Sequence, residues 1–543
     1  MNTPATTTAP LARPAGPAST AAIAAVLVAL AFAGFTGHMW EDYFITFRSS
    51  LNLATGHGLV YQPGERVHTF TSPLGTLLPA LFARDGGDHV AVQALWWFRV
   101  VSALALGGAV WLAAQAMHRA RLAPLALGAA CGAIVFDPKI VDFSINGMET
   151  AWLVFFVIVT WRAFTDGARL LPCALGFAGL QWTRPDGWVF FGAIAAAWLV
   201  GDPSPGSTGP ARLRAIGRGI ALGALCYLPW VLFAWSYYGS PLPHTIVAKV
   251  SHHAPGELPW ALALYPWRLL FGHVALHDVF MPAYFFLGGW PAALAWVSRI
   301  IAVGAALAWL LPGVRPAGRV AAAAFFLGGF YVEAIPRSPW YYPGWQVLAL
   351  VAWAYLLDAA LRPGSGPAGA AALVQRAGRI GAVVLVVLQA TLLAGVSWEM
   401  RTQQAIIENG HRREIGRWLR AQAAPGDHVY LEPLGYIGYY SGLKMLDYPG
   451  LASPEVVAAR RAGLRPHAQL IAALQPEWIV LRPDQALGIQ AERPRLLVDD
   501  YRLARVFDVR APVAAVAFLP GRGYLEFDAL YLVFRRAAPG PLP

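Results

Sequence analysis

Long apolar segments separated by short polar loops occupy most of the chain between residues 20 and 398. We interpret eleven of them as membrane spans, because most approach the length needed to cross about 30 Å of hydrocarbon. The predicted spans are residues 20–38, 92–116, 122–138, 149–165, 169–183, 186–200, 217–236, 288–311, 319–335, 342–361 and 380–397. The fifth and sixth are short and also fit a single re-entrant pair. The pattern predicts an α-helical polytopic membrane domain.

The pattern changes at residue 399, where charged residues become frequent and long apolar segments end. Residues 413–422 have helical spacing, whereas residues 428–432, 477–483 and 531–536 are typical of buried strands. We therefore expect a separate α/β domain over residues 399–543.

Composition supports a membrane protein. Of the 543 residues, 57% are hydrophobic and only 13% are charged, and the mean hydropathy is +0.48. A soluble protein of this length would need more charge to cover its surface. A cleaved signal peptide is the competing interpretation of residues 20–37, but no small-residue cleavage site follows and further spans do.

The formal net charge of +11 raises the question of nucleic-acid binding. The arginines instead lie in short loops between spans, as the positive-inside rule expects, so we predict no nucleic-acid partner. The three cysteines, Cys131, Cys173 and Cys226, all lie in apolar segments, which excludes a disulfide framework or a cysteine metal cluster.

Basic residues in alternate loops predict the topology. These loops share one side, and the positive-inside rule makes that side cytoplasmic. Their arginines are Arg119, Arg121, Arg162, Arg169, Arg212, Arg214, Arg218, Arg315, Arg319, Arg362, Arg376 and Arg379. We thus predict a multi-pass protein of the cytoplasmic membrane, with residues 1–19 as a disordered cytoplasmic tail. The first outer loop, residues 39–91, and the C-terminal domain lie outside.

The first outer loop begins with an adjacent acidic pair, Glu41 and Asp42. An acidic pair often does no more than end a span in water. Here the pair adjoins Trp40, Tyr43 and Phe44, and the residues that follow have an apolar face at helical spacing, which predicts an interfacial helix. The acidic pair is therefore a candidate for chemistry at the membrane surface.

The other outer loops add ionisable and aromatic residues near the same boundary. Each alone is more typical of a loop cap or a surface ion pair. They are Asp137, Lys139, Asp142, Glu149, Arg184, Asp186, Tyr238, His244, Lys249, Glu333, Arg337, Trp340 and Tyr341. Together they predict an outward ring for an amphipathic substrate with an anionic headgroup, since cations neutralise phosphate, aromatic rings stack on sugars and a carboxylate acts as a base.

The stretch "EDYFITFRSSLNLATGHGLVYQPGERVHTFTSPL" (41–74) resembles the first outer loop of bacterial GT-C glycosyltransferases similar to the mycobacterial terminal arabinofuranosyltransferase. Four further segments resemble the same family: "NGMETAW" (146–152), "TRPDG" (183–187), "YYGSPLPHTIVAKV" (237–250) and "IGYYSGLKMLDYPGL" (437–451). The resemblance implies a GT-C fold with about eleven transmembrane helices and a C-terminal extracytoplasmic domain.

The resemblance also implies an activity. Such enzymes transfer a sugar from a polyprenyl-phosphate carrier to an acceptor outside the cytoplasmic membrane, and their catalytic carboxylate lies in the first outer loop. Asp42 matches the second acidic position of the motif, and Glu41 replaces the more usual Asp at the first. This leaves open which of the two is the base and whether they hold a divalent metal cation; no other cofactor is implied. The expected partners are a polyprenyl-phosphate sugar donor, a cell-envelope glycan, lipid or protein acceptor, and membrane lipids.

Our interpretation is an inverting transfer, with Asp42 as base and a cation that neutralises the departing phosphate. Lys249 and Arg337 are the preferred phosphate-binding residues, with Arg184 next. Further candidate substrate-binding residues are Arg48, His57, Glu149, His244, Trp340 and Tyr341. Arg48 has an alternative role, an ion pair with Glu41 or Asp42.

Three other functions fit the topology. A transporter or flippase for a lipid-linked saccharide would place polar residues at mid-membrane, where these spans carry almost no charge. An oligosaccharide-ligase type of enzyme normally has its decisive long loop late among the spans, not early. A structural membrane protein with an outer interaction domain would leave the outer ring unexplained. The sequence does not encode which sugar is transferred.

Overall fold

The computed structural model describes residues 16–83, 87, 89–201, 208–250, 258–336, 338–362 and 368–537. Up to residue 403 the α-helices are α1 Pro17–Thr36, α2 Glu41–Ala54, α3 Pro73–Ala80, α4 Val90–Arg119, α5 Pro124–Val135, α6 Pro138–Ile145, α7 Thr150–Thr165, α8 Leu170–Thr183, α9 Gly187–Gly201, α10 Gly209–Tyr238, α11 His244–Val250, α12 Leu258–Ala263, α13 Tyr265–Phe271, α14 Ala292–Leu307, α15 Pro316–Ala334, α16 Pro343–Leu361 and α17 Ala368–Gln403. Short 3₁₀ turns lie at Ala275–Asp278, Phe285–Leu287, Ala308–Leu310 and Pro339–Tyr341.

Each predicted span overlaps one of these helices. In the described ranges, six helices are long and apolar enough to cross a membrane, and a seventh span results if the bent pair α5–α6 is counted as one. α7 and α9 are shorter apolar helices. The prediction of a multi-pass helical membrane protein is confirmed.

Close helix packing builds the membrane core. α4 lies against α1 and α7, α7 against α8, and α15 between α9 and α16. Gly179 of α8 faces Phe156 of α7 so closely that a β-carbon would lie 2.1 Å from the ring. Small residues let helix backbones approach where lipid offers no hydrophobic driving force. Trp161 and Trp345 fill the centre of this core.

The bend between α5 and α6 is fixed by buried polar contacts. Asp137 caps α6 by accepting hydrogen bonds from the N–H groups of Lys139 (3.1 Å) and Ile140 (2.8 Å). The Lys139 Nζ donates to the carbonyl of Val279 at 2.7 Å, and Asp142 contacts the His38 ring at 2.9 Å. The prediction that Asp137, Lys139 and Asp142 belong to an outward ring is therefore wrong, because these groups are buried and have hydrogen-bond partners inside the protein.

The C-terminal part forms a five-stranded mixed sheet with helices around it. The strands are β1 His428–Leu431, β2 Lys444–Asp447, β3 Trp478–Leu481, β4 Tyr501–Asp508 and β5 Leu530–Arg536, in the order β2-β1-β3-β5-β4. β2, β1 and β3 are parallel, and β5 is antiparallel to both β3 and β4. The helices are α18 Arg413–Gln422, α19 Gly435–Ser441, α20 Pro454–Arg461, α21 His467–Leu474, α22 Pro483–Glu492, α23 Arg510–Ala515 and α24 Arg522–Phe527, with π-helical segments at Gln404–Arg412 and Leu496–Asp500.

Alternating side chains bury both faces of the central strands β1 and β3. Val429 and Leu431 of β1 point into one apolar cluster, and Tyr430 points into another on the opposite face. Such two-sided burial explains why these strands are continuously apolar in the sequence. The predicted helix 413–422 coincides with α18, and the three predicted strands coincide with β1, β3 and β5.

α2 corresponds to the predicted interfacial helix, but its apolar side faces protein. The Phe44 ring lies 4.3 Å from that of Tyr436 and 5.0 Å from that of Tyr439, both on α19. Phe47 is fully buried in the same cluster. The predicted helix is therefore present, but its apolar face packs against α4 and the aromatic residues of α19.

Candidate active site

A cavity of about 440 Å³ lies where five predicted outer loops meet. Its polar and charged lining includes Asp42, Thr69, Glu149, Arg184, Asp186, Thr245, Lys249, Tyr331 and Tyr341. Its apolar lining includes Ile45, Trp188, Leu242, Ile246, Trp340 and, from the C-terminal part, Leu451. Segments that are distant in the sequence thus converge on one concave site.

Asp42 lies in the first turn of α2 and lines the cavity. Its carboxylate forms no hydrogen bond or ion pair with any residue that the structure describes. Burial raises the pKa of Asp42 from 3.8 to about 6; Lys249 lowers it, and the charge of Glu149 raises it. A partly exposed carboxylate without partners and with a pKa near neutrality can accept a proton from a bound hydroxyl group.

Arg184 is the centre of an ion triad in the cavity wall. It lies in the turn between α8 and α9, and its guanidinium contacts Glu149 at 2.9 Å and Asp186 at 2.9 Å. Tyr331 also donates a hydrogen bond to Asp186. Arg184 and Tyr331 thus both bind the Asp186 carboxylate. Two carboxylates therefore already neutralise the Arg184 cation.

Lys249 differs from Arg184 in its surroundings. It lies on α11, its Nζ donates to the Tyr341 hydroxyl at 3.2 Å, and the same ring stacks under the Arg184 guanidinium at 4.7 Å. Within the described ranges no carboxylate lies at ion-pair distance from Lys249. Lys249 is accordingly a cation available to a ligand, beside the aromatic wall that the turn Pro339–Tyr341 provides with Trp340 and Tyr341.

Several predicted site residues do not line the cavity. The Glu41 carboxylate accepts a hydrogen bond from the Gly435 N–H at 2.5 Å, and Arg48 donates to the carbonyl of Gly438 at 2.9 Å. Both therefore bind α19, so the alternative ion pair of Arg48 with the acidic pair does not form. His57 is exposed, and its ring contacts the Thr55 hydroxyl at 2.9 Å. A substrate-binding role for Arg48 and His57 does not fit these positions.

Two further candidates are His244 and Arg337. His244 begins α11, and its N–H donates to the carbonyl of His68 at 2.8 Å. Burial lowers the pKa of His244, and its ring lies near Asp447 of the C-terminal part. Arg337 lies outside the described residues.

The residues present do not fit a divalent metal held jointly by Glu41 and Asp42. In the part of the chain that is described, no group of three His, Cys, Asp or Glu side chains is arranged to hold a metal ion. The Glu41 carboxylate is occupied by backbone N–H groups and by Arg412, at 3.3 Å, and does not converge with Asp42 on the cavity.

Tyr331 and Leu451 are site residues that sequence reasoning missed. Tyr331 lies inside a predicted span. Its position two residues before Glu333, at the outer end of that span, was the one feature of the sequence that could have marked it as a site residue. Leu451 reaches the cavity only because the C-terminal part folds over it, and no local pattern predicts that contact.

Part of the chain is similar in sequence to a known transferase. Over 246 residues it is 29% identical to the terminal β-(1→2)-arabinofuranosyltransferase of Corynebacterium glutamicum, covering 40% of this chain. The match spans 34% of the length of that relative. Residues 399–528 match a family described as a domain of unknown function, DUF8728.

Structural comparison covers nearly the whole chain. ArnT from Cupriavidus metallidurans, solved with bound undecaprenyl phosphate, matches 96% of this chain and 99% of its own length, with a TM-score of 0.51 and 12% identity. The chain has a GT-C fold. The mycobacterial arabinofuranosyltransferase AftD matches 96% of this chain and 40% of its own, with a TM-score of 0.45 and 13% identity. The resemblance to GT-C glycosyltransferases, carried in the sequence by the first outer loop, is confirmed.

Proposed function

We propose that this GT-C protein transfers a sugar from a polyprenyl-phosphate donor to a glycan, lipid or protein acceptor of the cell envelope. The observation that carries the proposal is the placement of Asp42 and Lys249 in one cavity, where, among the residues that the structure describes, the Asp42 carboxylate has no partner and the Lys249 cation has no carboxylate partner. A base and a phosphate-neutralising group are the two parts that such a transfer needs.

The transfer is inverting in this proposal. The acceptor hydroxyl gives its proton to Asp42 and attacks the anomeric carbon, while the bond from that carbon to the phosphate oxygen breaks on the opposite face. Lys249 neutralises the polyprenyl phosphate as it departs, and Trp340 and Tyr341 stack on the sugar. Arg337, outside the described residues, stays a candidate second cation. Arg184 holds Glu149 and Asp186 in place instead of binding phosphate.

Two exposed apolar side chains support a lipid donor. Trp188 and Leu242 line the cavity, yet they are 59% and 58% exposed. An apolar rim of this kind gives the first units of a polyprenyl chain a path between the cavity and the bilayer. The undecaprenyl phosphate bound to the structural neighbour ArnT is a ligand of the same chemical class.

Topology completes the proposal. The eleven-span interpretation places the five loops around the cavity, and the C-terminal α/β domain, on the outer side of the cytoplasmic membrane. Three arginines support this orientation. Arg119, Arg162 and Arg169 lie at the ends of α4, α7 and α8 that are away from the cavity, as the positive-inside rule expects of cytoplasmic ends.

The decisive experiment incubates purified protein with a panel of polyprenyl-phosphate sugars and measures release of polyprenyl phosphate. Asp42→Asn keeps the shape of the side chain but removes proton acceptance, so release is expected to fall by about 10²–10⁴-fold. Asp166→Asn is the matched control, because Asp166 is exposed and away from the cavity. Full release by folded Asp42→Asn would overturn the assignment of the base. Movement of a lipid-linked saccharide across vesicles without any release would favour a flippase.

A further inference from the structure

The segment of unknown function reaches the start of α2 through one buried arginine. Arg412 ends the π-helical segment Gln404–Arg412, which continues α17 into the C-terminal part. Its guanidinium donates to Glu408 at 3.0 Å, to Glu41 at 3.3 Å and to Asp528. Arg482 contacts Asp528 from the other side at 2.7 Å. A charged network thus runs from the sheet to the residue next to Asp42.

The Glu41 carboxylate is fixed on both oxygens. One accepts from the Gly435 N–H at 2.5 Å, and the other accepts from Arg412 at 3.3 Å and from the Tyr436 N–H at 3.4 Å. α19 lies directly against this turn, since a β-carbon on Gly435 would approach the Glu41 carbonyl to 2.0 Å. Only glycine leaves room for that approach, so α19 and the start of α2 form one packed unit.

The residues that lead into α2 are held by the same part of the chain. The Met39 N–H donates to the Gln404 side chain at 2.8 Å, and the Tyr436 hydroxyl donates to the Met39 carbonyl at 3.1 Å. Asp42 has no side-chain partner among the described residues. The direction of its carboxylate is therefore determined by the backbone that Glu41 and Met39 anchor.

We propose that Arg412 and Glu41 are positioning residues, through which the segment matching the domain of unknown function holds the Asp42 carboxylate in the cavity. The inference rests on the proposed function, because it takes Asp42 as the base. It gives the segment 399–528 a role within the active site, as the rigid support of the helix that carries the base. Leu451, which lines the cavity itself, extends that support to the substrate side.

The charges around Asp42 affect its pKa, and the pH profile of the reaction therefore distinguishes positioning of Asp42 from a purely structural role. Lys249 faces it from α11, Glu149 from the start of α7, Glu41 from its own helix and Arg412 from the π-helical segment. Glu41 raises the pKa of Asp42 and Arg412 lowers it. Removal of the Glu41 charge should consequently lower the pKa of Asp42, and removal of the Arg412 charge should raise it.

The experiment compares Glu41→Gln, Arg412→Gln and Arg412→Lys in the polyprenyl-phosphate release assay across pH. Arg412→Gln should lower kcat by about 10–100-fold, because a misplaced catalytic group loses rate steeply. The KM for the donor should stay close to that of the wild type, because Lys249 is untouched. The acidic limb of the pH profile should move up in Arg412→Gln and down in Glu41→Gln, and Arg412→Lys should restore part of kcat.

Arg510→Gln is the matched control, since Arg510 is an exposed arginine of the same segment and forms its ion pair with Asp508, away from the cavity. Should Arg412→Gln fail to fold, Glu41→Gln and Arg412→Lys carry the test. Acidic limbs that stay at the wild-type position, or that move in the same direction, would overturn the inference. This failure is distinct from failure of the proposed function, which full activity of Asp42→Asn would reveal.

Discussion

Glu41 and Arg48 lie on one helix and bind opposite ends of another. Glu41 accepts a hydrogen bond from the first N–H of α19, at Gly435 (2.5 Å), and Arg48 donates to the carbonyl of Gly438 (2.9 Å) in its last turn. The sign of each side chain matches the polar backbone groups at that helix end. α2, which carries Asp42 between these two residues, is therefore clamped along its length.

Removing the Arg48 end of this clamp should destabilise the protein. Arg48→Met leaves backbone carbonyls of the C-terminal part without a donor, and it removes the contact of the guanidinium with the Tyr61 ring at 4.4 Å. We expect a loss of about 2–4 kcal/mol in the free energy of unfolding. Thermal unfolding in detergent measures it, with exposed Arg119→Met as control. An unchanged Tm would contradict the structural role assigned to Arg48. Arg48→Lys should recover only part of the loss, because one ammonium cannot span carbonyls on separate residues.

The sequence predicted those parts of the fold that depend on local pattern. Apolar runs identify the helices that pack into the membrane core, and the short apolar strands β1 and β3 are recognisable because both of their faces are buried. Convergence of the outer loops on one site was also predictable, since topology alone brings the same ends of the spans together. Asp42, Glu149 and Lys249 line one cavity for that reason.

What the sequence could not provide are contacts between distant segments. The sequence leaves open which of Glu41 and Asp42 is the base, and the structure distinguishes them because Arg412 and the N–H of Gly435 engage Glu41. Likewise the sequence predicts a cation available to phosphate at Arg184, whereas in the folded protein Glu149 forms an ion pair with it. The partners lie far apart in the chain, and no periodicity records them.

The pH dependence of transfer follows from the environment of Asp42. Burial raises the pKa of Asp42 to about 6, and only the ionised carboxylate can accept a proton. We expect kcat/KM to rise with pH through about 6, with close to a tenfold change per pH unit on the acidic side. Measured release of polyprenyl phosphate between pH 4.5 and pH 8 gives the profile. A rate that stays flat down to about pH 4.5 would show that the base is a different group or an unburied carboxylate.

The same burial predicts a gain of stability in the inactive variant. The pKa of Asp42 is higher in the folded protein, at about 6, than its ordinary value of 3.8. A raised carboxyl pKa contributes stability below the ordinary value, and this contribution is lost as pH rises through the folded value. At neutral pH, Asp42→Asn should therefore be more stable than the wild type by about 1–3 kcal/mol. The difference should vanish near pH 4. Unfolding curves at both pH values measure it, and a gain that is independent of pH would have another cause.

Lys249 should matter for the donor and not for the fold. Lys249→Ala removes the cation that neutralises the departing phosphate, and we expect kcat/KM to fall by about 10²–10³-fold. Lys249→Arg keeps the charge beside Tyr341 and serves as the matched comparison, with a smaller loss expected. The readout is polyprenyl phosphate release as a function of donor concentration. Wild-type turnover in Lys249→Ala would move the phosphate site elsewhere, with Arg337 as the next residue to replace.

Arg184 should behave in the opposite way, as a residue of the cavity wall. Arg184→Met leaves the Glu149 and Asp186 carboxylates buried together without their cation, and breaking a buried ion pair from one side costs about 3–5 kcal/mol. We expect a marked drop in the unfolding midpoint. Replacing Glu149 by Gln in the same protein removes one of the unpaired charges, so the double variant Arg184→Met/Glu149→Gln should regain part of that stability. A phosphate-binding role predicts a different result: wild-type stability, with the whole effect appearing in the KM for the donor. Thermal unfolding and donor kinetics on the same three preparations separate the two roles, because a wall residue changes the unfolding midpoint and a phosphate ligand changes the KM.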